Sequence, residues 1–130
     1  MQAFITEHQN MIDLAEEIVA ASRDTKDGAK RRLAQTRLDL SRAITKHVAK
    51  ECAMLDPVPS NVDQGTLSRY HDELLSWRQA LINCNCAWPP ERVFNDRVGF
   101  RLEFMPLVLQ LRERVRWEEE QLYPKLRLAA

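Results

Sequence analysis

The residues of this chain best suited to chemistry are its three histidines and the glutamates that recur near them at helical spacing. Glu51 follows His47 by four positions, and both fall on a stripe of apolar residues spaced as one face of a helix. A second stripe, late in the chain, carries Arg114 and Glu118 in the same relation. A buried charge is costly unless it is paired or holds a metal ion. Both stripes therefore predict polar residues with a specific task inside the fold.

The two stripes belong to an internal repeat that organises the whole chain. The first copy contains Val48, Glu51, Leu55 and Pro57, which match Val115, Glu118, Leu122 and Pro124. Upstream of each copy, the stripe around His8 resembles the stripe around His71. The chain is therefore predicted to be a duplicated helical hairpin. It would form an all-α, up-down-up-down antiparallel four-helix bundle within a single domain of residues 1–130.

Periodicity and helix-breaking residues predict where the helices begin and end. The first helix is expected at 3–22 and the second at 28–55, where prolines stop it. Thr66 is the expected N-cap of the third helix, and 83–90 is the expected turn before the fourth.

The fourth helix is expected to begin in the low nineties and to end at Tyr123, because Pro124 follows. Pro106 lies inside that span, so a kink or a break is expected there.

In such a bundle the beginnings of the first and third helices meet the ends of the second and fourth. Six polar residues would then converge at one end, namely His8, His47, Glu51, His71, Arg114 and Glu118. Imidazoles and carboxylates together are typical ligands of iron, zinc or manganese. The Glu-x-x-His pair of ferritin-type sites does not occur, and the spacing is His-x-x-x-Glu instead.

These motifs resemble the hemerythrin-like family of histidine/histidine/glutamate cation-binding bundles. The resemblance rests on Glu7-His8, His47-x-x-x-Glu51, Tyr70-His71 and the segment 118–124, and it covers nearly the whole chain. It implies a four-helix bundle that holds two non-haem irons. By position, the implied ligands are His8, His47, Glu51, His71 and Glu118.

Position 114 departs from the family pattern, which has histidine where this chain has Arg114. Leu75 stands where the oxygen-carrying members have a further histidine. Arginine offers no lone pair, so it cannot ligate a metal. Beside Glu118 or Glu51 its charge could replace that of an ion. We therefore expect at most one tightly held metal, with His8, His47 and Glu51 as its main ligands and His71 as a candidate to share it.

Three functions remain open from the sequence. The first is a non-haem metal protein, with iron or another divalent ion, that senses or binds oxygen, nitric oxide or iron. The second is a metal-free helical interaction or signalling module, with an unidentified protein partner, in which Arg114 replaces the metal charge. The third is a di-iron oxidase or peroxidase. It ranks last because the second metal lacks a histidine.

Other features narrow the class of protein. The formal net charge is zero, which gives no indication of a nucleic-acid partner, and no apolar run reaches membrane-spanning length. Three cysteines favour a cytoplasmic protein, and Cys84 and Cys86 are expected to be ordinary thiols. Glu119 is an alternative to Glu118 as the inward carboxylate, and Tyr123 is expected to hydrogen-bond near the site.

Overall fold

The computed structural model describes the backbone of residues 1–129 and the side chains of residues 1–126. Within these residues every regular element is helical, which confirms the predicted all-α class. Four of the described helices are long. The elements in chain order are α1 (Gln2–Arg23), α2 (Ala29–Met54), α3 (Gln64–Ala87), α4 (Pro90–Asn95), α5 (Arg97–Trp117), a π-helical segment (Glu118–Leu122) and α6 (Tyr123–Ala129).

The connection between α1 and α2 is the short turn that the sequence predicts. The Asp24 carboxylate accepts a hydrogen bond of 2.9 Å from the backbone N–H two residues later. Gly28 precedes α2 with φ +90°, a conformation that glycine adopts without strain. α2 ends shortly before Pro57, which has no N–H to continue the helix. The predicted spans 3–22 and 28–55 are confirmed to within one residue at each end.

α3 is longer at both ends than the sequence predicts. Asp63, and not Thr66, is its N-cap, because the Asp63 carboxylate accepts a 2.7 Å hydrogen bond from the Thr66 N–H. At the other end the helix runs to Ala87, through most of the segment 83–90 that was expected to be a turn. The extra turn buries Cys84 in the core, and this burial favours the helix over a turn.

The expected break in the last helix exists, but it lies at Asp96 and not at Pro106. Asp96 separates α4 from α5 and accepts a 3.0 Å hydrogen bond from the backbone N–H of Gly99, so that its side chain caps α5. A Cβ at Gly99 would overlap this carboxylate, so the cap requires glycine. Pro106 stays inside α5. The carbonyl that it leaves without a partner belongs to Leu102, which is largely exposed, so water can replace the lost hydrogen bond.

Pro124 does not end the helical region, contrary to expectation. α5 passes into the π-helical segment, and α6 then begins at Tyr123 with Pro124 as its second residue. Proline is tolerated in the first turn of a helix, because N–H groups there do not all need an intrahelical acceptor. The side chains of Leu122, Tyr123 and Leu126 are buried, so this extension adds to the core.

The long helices enclose one contiguous cluster of buried apolar side chains. α1 packs against α2 and α5, α3 packs against α5, and α4 covers part of α2 and α5. None of the helices in the described residues combines the length and the apolar character needed to cross a bilayer. The polar site described below lies inside this helical core and is built by α1, α2 and the segment that follows α5.

Candidate metal centre

His8 and His47 face each other in the core, with ring centroids 4.6 Å apart. His8 lies on the face of α1 that also buries Met11, Ala15 and Ile18, so the packing of that apolar stripe turns the imidazole inward. His47 lies on the buried face of α2 in the same way. The two histidines are therefore positioned by the same stripes that hold α1 and α2 together.

A carboxylate on the outer side of each ring fixes its orientation. His8 Nδ1 lies 2.7 Å from Glu119 Oε2, and His47 Nδ1 lies 2.8 Å from Glu7 Oε1. Both carboxylates are partly exposed, and Lys50 bonds to the outer oxygen of Glu7. A carboxylate at one ring nitrogen accepts a hydrogen bond from the N–H there and leaves the lone pair of the other nitrogen free to bind a metal. This is the usual arrangement of metal-binding histidines. In both rings that other nitrogen, Nε2, points to the centre of the site.

Glu51 and Glu118 complete a group of four donors. One donor atom from each of His8, His47, Glu51 and Glu118 lies within 4.8 Å of all the others, and all four residues are buried. His8 Nε2 is 3.0 Å from Glu118 Oε1, and His47 Nε2 is 3.2 Å from Glu51 Oε2. Donors held about 2.1 Å from one ion at right angles are about 3 Å apart. The group has the composition and the spacing of a transition-metal site.

The hydroxyl of Tyr123 lies among these four donors. It is 2.6 Å from Glu51 Oε2, 2.9 Å from His8 Nε2, and 3.3 Å from both His47 Nε2 and Glu118 Oε1. The sequence predicts a hydrogen bond from Tyr123 near the site, and the structure places its oxygen within hydrogen-bonding distance of all four donors. Burial, together with the charges of Glu51 and Glu118, raises the pKa of Tyr123 far above its usual value, so the hydroxyl donates a hydrogen bond to Glu51.

Arg114, on α5, pairs with Glu118 and also contacts α3. Its Nε lies 2.8 Å from Glu118 Oε2, and its Nη2 donates to the backbone carbonyl of Tyr70 at 3.2 Å. The guanidinium also lies over the Tyr70 ring, 5.0 Å from the ring centroid. The predicted position of this cation beside Glu118 is confirmed. Glu118 therefore offers one oxygen to the donor group and the other to Arg114.

The charges of the site are strongly coupled. Burial opposes protonation of His47, but hydrogen bonds to Glu118 and Glu51 outweigh it and raise the pKa of His47 to about 10. Burial likewise acts to raise the pKa of Glu118, but hydrogen bonds from Glu51, His47 and His8 and the charge of Arg114 hold that pKa well below its usual range. Burial and the neighbouring Glu118 raise the pKa of Glu51. Without a metal, the proton on His47 balances part of the negative charge of the carboxylates.

His71 does not converge with the other histidines, and the prediction that it points inward is wrong. It is exposed on α3, and Leu75, one turn later, is exposed as well. The preceding residue, Tyr70, takes the inward position, and its hydroxyl donates to Glu51 Oε1 at 3.1 Å. The buried face of α3 runs through Tyr70, Leu74 and Trp77, so the predicted helix phase was shifted by one residue.

The remaining candidates from the sequence fall outside the donor group. Glu118, and not Glu119, is the inward carboxylate, while Glu119 supports His8 from outside. The cysteines are free; Cys84 is buried and Cys86 is exposed in the last turn of α3. Burial raises the pKa of the Cys84 thiol, which fits an unreactive core residue.

Comparisons with protein-family models, with curated proteins and with solved structures found no match to this chain.

Proposed function

We propose that this protein binds one non-haem metal ion at His8, His47, Glu51 and Glu118, and that this ion is iron. The observation that supports this most is the orientation of the two imidazoles. Each has its Nδ1 held by an outer carboxylate, from Glu119 or Glu7, and each turns its Nε2 toward the two inner carboxylates. A histidine that only fills a core does not need this second partner.

The resemblance to hemerythrin-like proteins extends the proposal to the arrangement of the helices. We propose an up-down-up-down antiparallel bundle, because the site joins the beginning of α1 to the end of α2 and to the segment after α5. Tyr70, near the beginning of α3, reaches the same carboxylate, Glu51.

Arg114 limits the proposed site to one ion. It occupies one oxygen of Glu118 and adds a positive charge beside the donors, and His71 is too exposed to supply a further imidazole there. With two glutamates and one arginine, a single divalent ion leaves a small net charge, whereas a second ion would add two positive charges with few donors left to bind it.

The biological role we propose is binding or sensing of iron, oxygen or nitric oxide. A bound ferrous ion supplies redox chemistry and affinity for diatomic ligands. The chain itself holds the imidazoles in a fixed orientation, keeps the carboxylates buried and places the Tyr123 hydroxyl beside all four donors. The three free cysteines favour a reducing compartment such as the cytoplasm.

A second candidate is a metal-free helical module that recognises a protein partner. It is favoured by the polar contacts that the site makes without any ion, since Arg114 pairs with Glu118 and Tyr123 bonds to the donors. In that case a chelator leaves the melting temperature unchanged.

The test is the metal content of the purified protein after anaerobic ferrous loading and desalting. The wild type is expected to hold about one ion per chain, and His47→Ala to hold almost none. His71→Ala is the matched control, because it removes the exposed histidine and is expected to retain the ion. Equal metal in His47→Ala and wild type contradicts the proposed site. A content near two contradicts the limit set by Arg114, and a content near zero in the folded wild type supports the metal-free module.

A further inference from the structure

We propose that Tyr123 is a fifth protein ligand of this site, and that its phenolate oxygen makes the site bind ferric iron more tightly than divalent ions. This inference rests on the proposed metal binding and deepens it. Its basis is the position of the hydroxyl oxygen, which lies between 2.6 and 3.3 Å from a donor atom of each of His8, His47, Glu51 and Glu118.

The distances from the Tyr123 oxygen to the four donor atoms match the spacing between ligands of one metal ion. Adjacent ligands of one ion are about 3 Å apart, and the four distances from the Tyr123 oxygen scatter around that value. A tyrosine that only supports a site would touch one donor from outside, as Tyr70 does with Glu51 at 3.1 Å. Tyr123 instead contacts all four, so an ion held by these donors would also meet the phenol oxygen.

The surrounding packing holds the phenol in place. The Tyr123 ring is stacked on the His8 imidazole, with centroids 5.4 Å apart and planes 12° from parallel. The Phe4 ring also packs against it, with centroids 5.7 Å apart and planes tilted by 51°. The side chain is buried. Its oxygen therefore cannot leave the donors without disturbing the core.

The total charge of the ligands determines which metal ion the site prefers. A phenolate adds a third negative charge to those of Glu51 and Glu118, and Arg114 returns one positive charge. A ferric ion then leaves the same net charge as a ferrous ion bound beside a neutral phenol. When ferric iron binds, the phenolic O–H bond breaks, an O–Fe bond forms and the proton passes to solvent. The iron remains ferric, so no oxidant is needed. A zinc ion has one charge fewer and leaves the phenol protonated.

The experiment loads chelator-treated protein with ferric nitrilotriacetate and measures metal per chain and visible absorption. A phenolate bound to ferric iron gives a charge-transfer band in the visible range, which imidazole and carboxylate ligands do not. The wild type is expected to bind one ferric ion and to be coloured. Tyr123→Phe is expected to lose the band and at least about tenfold in ferric affinity, with zinc affinity changed less.

Tyr70→Phe is the matched control and also covers the case in which Tyr123→Phe does not fold. The chain contains two tyrosines. If Tyr70→Phe keeps the band, and resonance Raman spectra excited within it show tyrosinate vibrations, the ligand is Tyr123. Stoichiometric ferric binding without colour, or colour that survives in Tyr123→Phe, overturns the inference and leaves the proposed metal site intact. Absence of any bound metal in the folded wild type overturns both.

Discussion

Arg114 places a permanent positive charge against Glu118, and the contribution of this ion pair to the unfolding free energy can be measured. The ion pair is almost completely enclosed, with side-chain exposures of 7% and 4%. Arg114→Ala removes the partner and leaves a carboxylate buried without its cation. We expect this variant to lose about 3–5 kcal/mol of unfolding free energy in urea denaturation with a chelator present, since breaking a buried pair strands the remaining charge.

The control is an exposed pair with the same helical spacing. Arg69 and Glu73 are 2.9 Å apart, four residues apart in sequence, and half exposed at 53% and 49%. Exposed pairs contribute little because water screens them, so Arg69→Ala is expected to cost less than about 1 kcal/mol. If Arg114→Ala costs no more than Arg69→Ala, Arg114 does not compensate a buried charge.

The sequence predicted correctly which four residues converge, but it did not predict the side chains that contact them. His8, His47, Glu51 and Glu118 could be placed because each sits on an apolar stripe that also forms the core. His71 was misplaced because the adjacent Tyr70 is equally able to fill a buried position, and packing selected the tyrosine. The sequence did not show that Glu7 and Glu119 hold the outer sides of the histidine rings, since nothing in a surface glutamate shows that it faces a histidine on another helix.

At the scale of an element, the π-helical segment decides where Tyr123 points. The N–H of Tyr123 bonds to the carbonyl of Glu118, five residues earlier. In a regular α-helix, residues five apart lie about 140° apart around the axis, whereas the wider π turn brings them onto one face. The π turn thus places both the carboxylate of Glu118 and the phenol of Tyr123 in the site.

Changing the length of this segment tests its role. Inserting one alanine after the exposed Gln121 rotates Tyr123 by about 100°. We expect this variant to remain helical by circular dichroism and to lose the ferric absorption band. Deleting Gln121 instead leaves Tyr123 four residues after Glu118, which is the same face of an α-helix.

The deletion variant is therefore expected to keep the band and to change unfolding free energy by no more than about 1 kcal/mol. A band retained after insertion, or lost after deletion in a folded protein, contradicts this function of the segment.

The long helices could be predicted from the sequence, whereas the helical segments after α5 could not, because only the long helices have local sequence markers. The apolar periodicity of α1 and α2 is strong, and their ends have glycine or proline nearby. The π turn has no such local marker, because it results from burying Leu122, Tyr123 and Leu126 together. Pro124 alone could not show whether it ends one helix or opens the next.

At the scale of the whole molecule, the buried site couples stability to pH. The pKa of His47 is raised to about 10 from a reference of 6.5, so its protonated form stabilises the fold below about pH 6.5, and this contribution is lost as pH rises toward 10. The raised pKa of Glu51 acts in the same direction, since the carboxyl must ionise in the core at high pH. The lowered pKa of Glu118 acts oppositely and reduces stability in acid, below about pH 4.5.

The metal-free protein should therefore be most stable between about pH 4.5 and 6.5, and its unfolding free energy should fall by about 3 kcal/mol between pH 6.5 and 9. Urea denaturation with a chelator at several pH values measures this slope. His47→Gln cannot titrate and should flatten it, whereas His71→Gln should not, because His71 is exposed. The stabilisation gained from added zinc should grow over the same range, since the ion displaces the proton from His47. A slope that is unchanged in His47→Gln would mean that the pH dependence arises elsewhere in the protein.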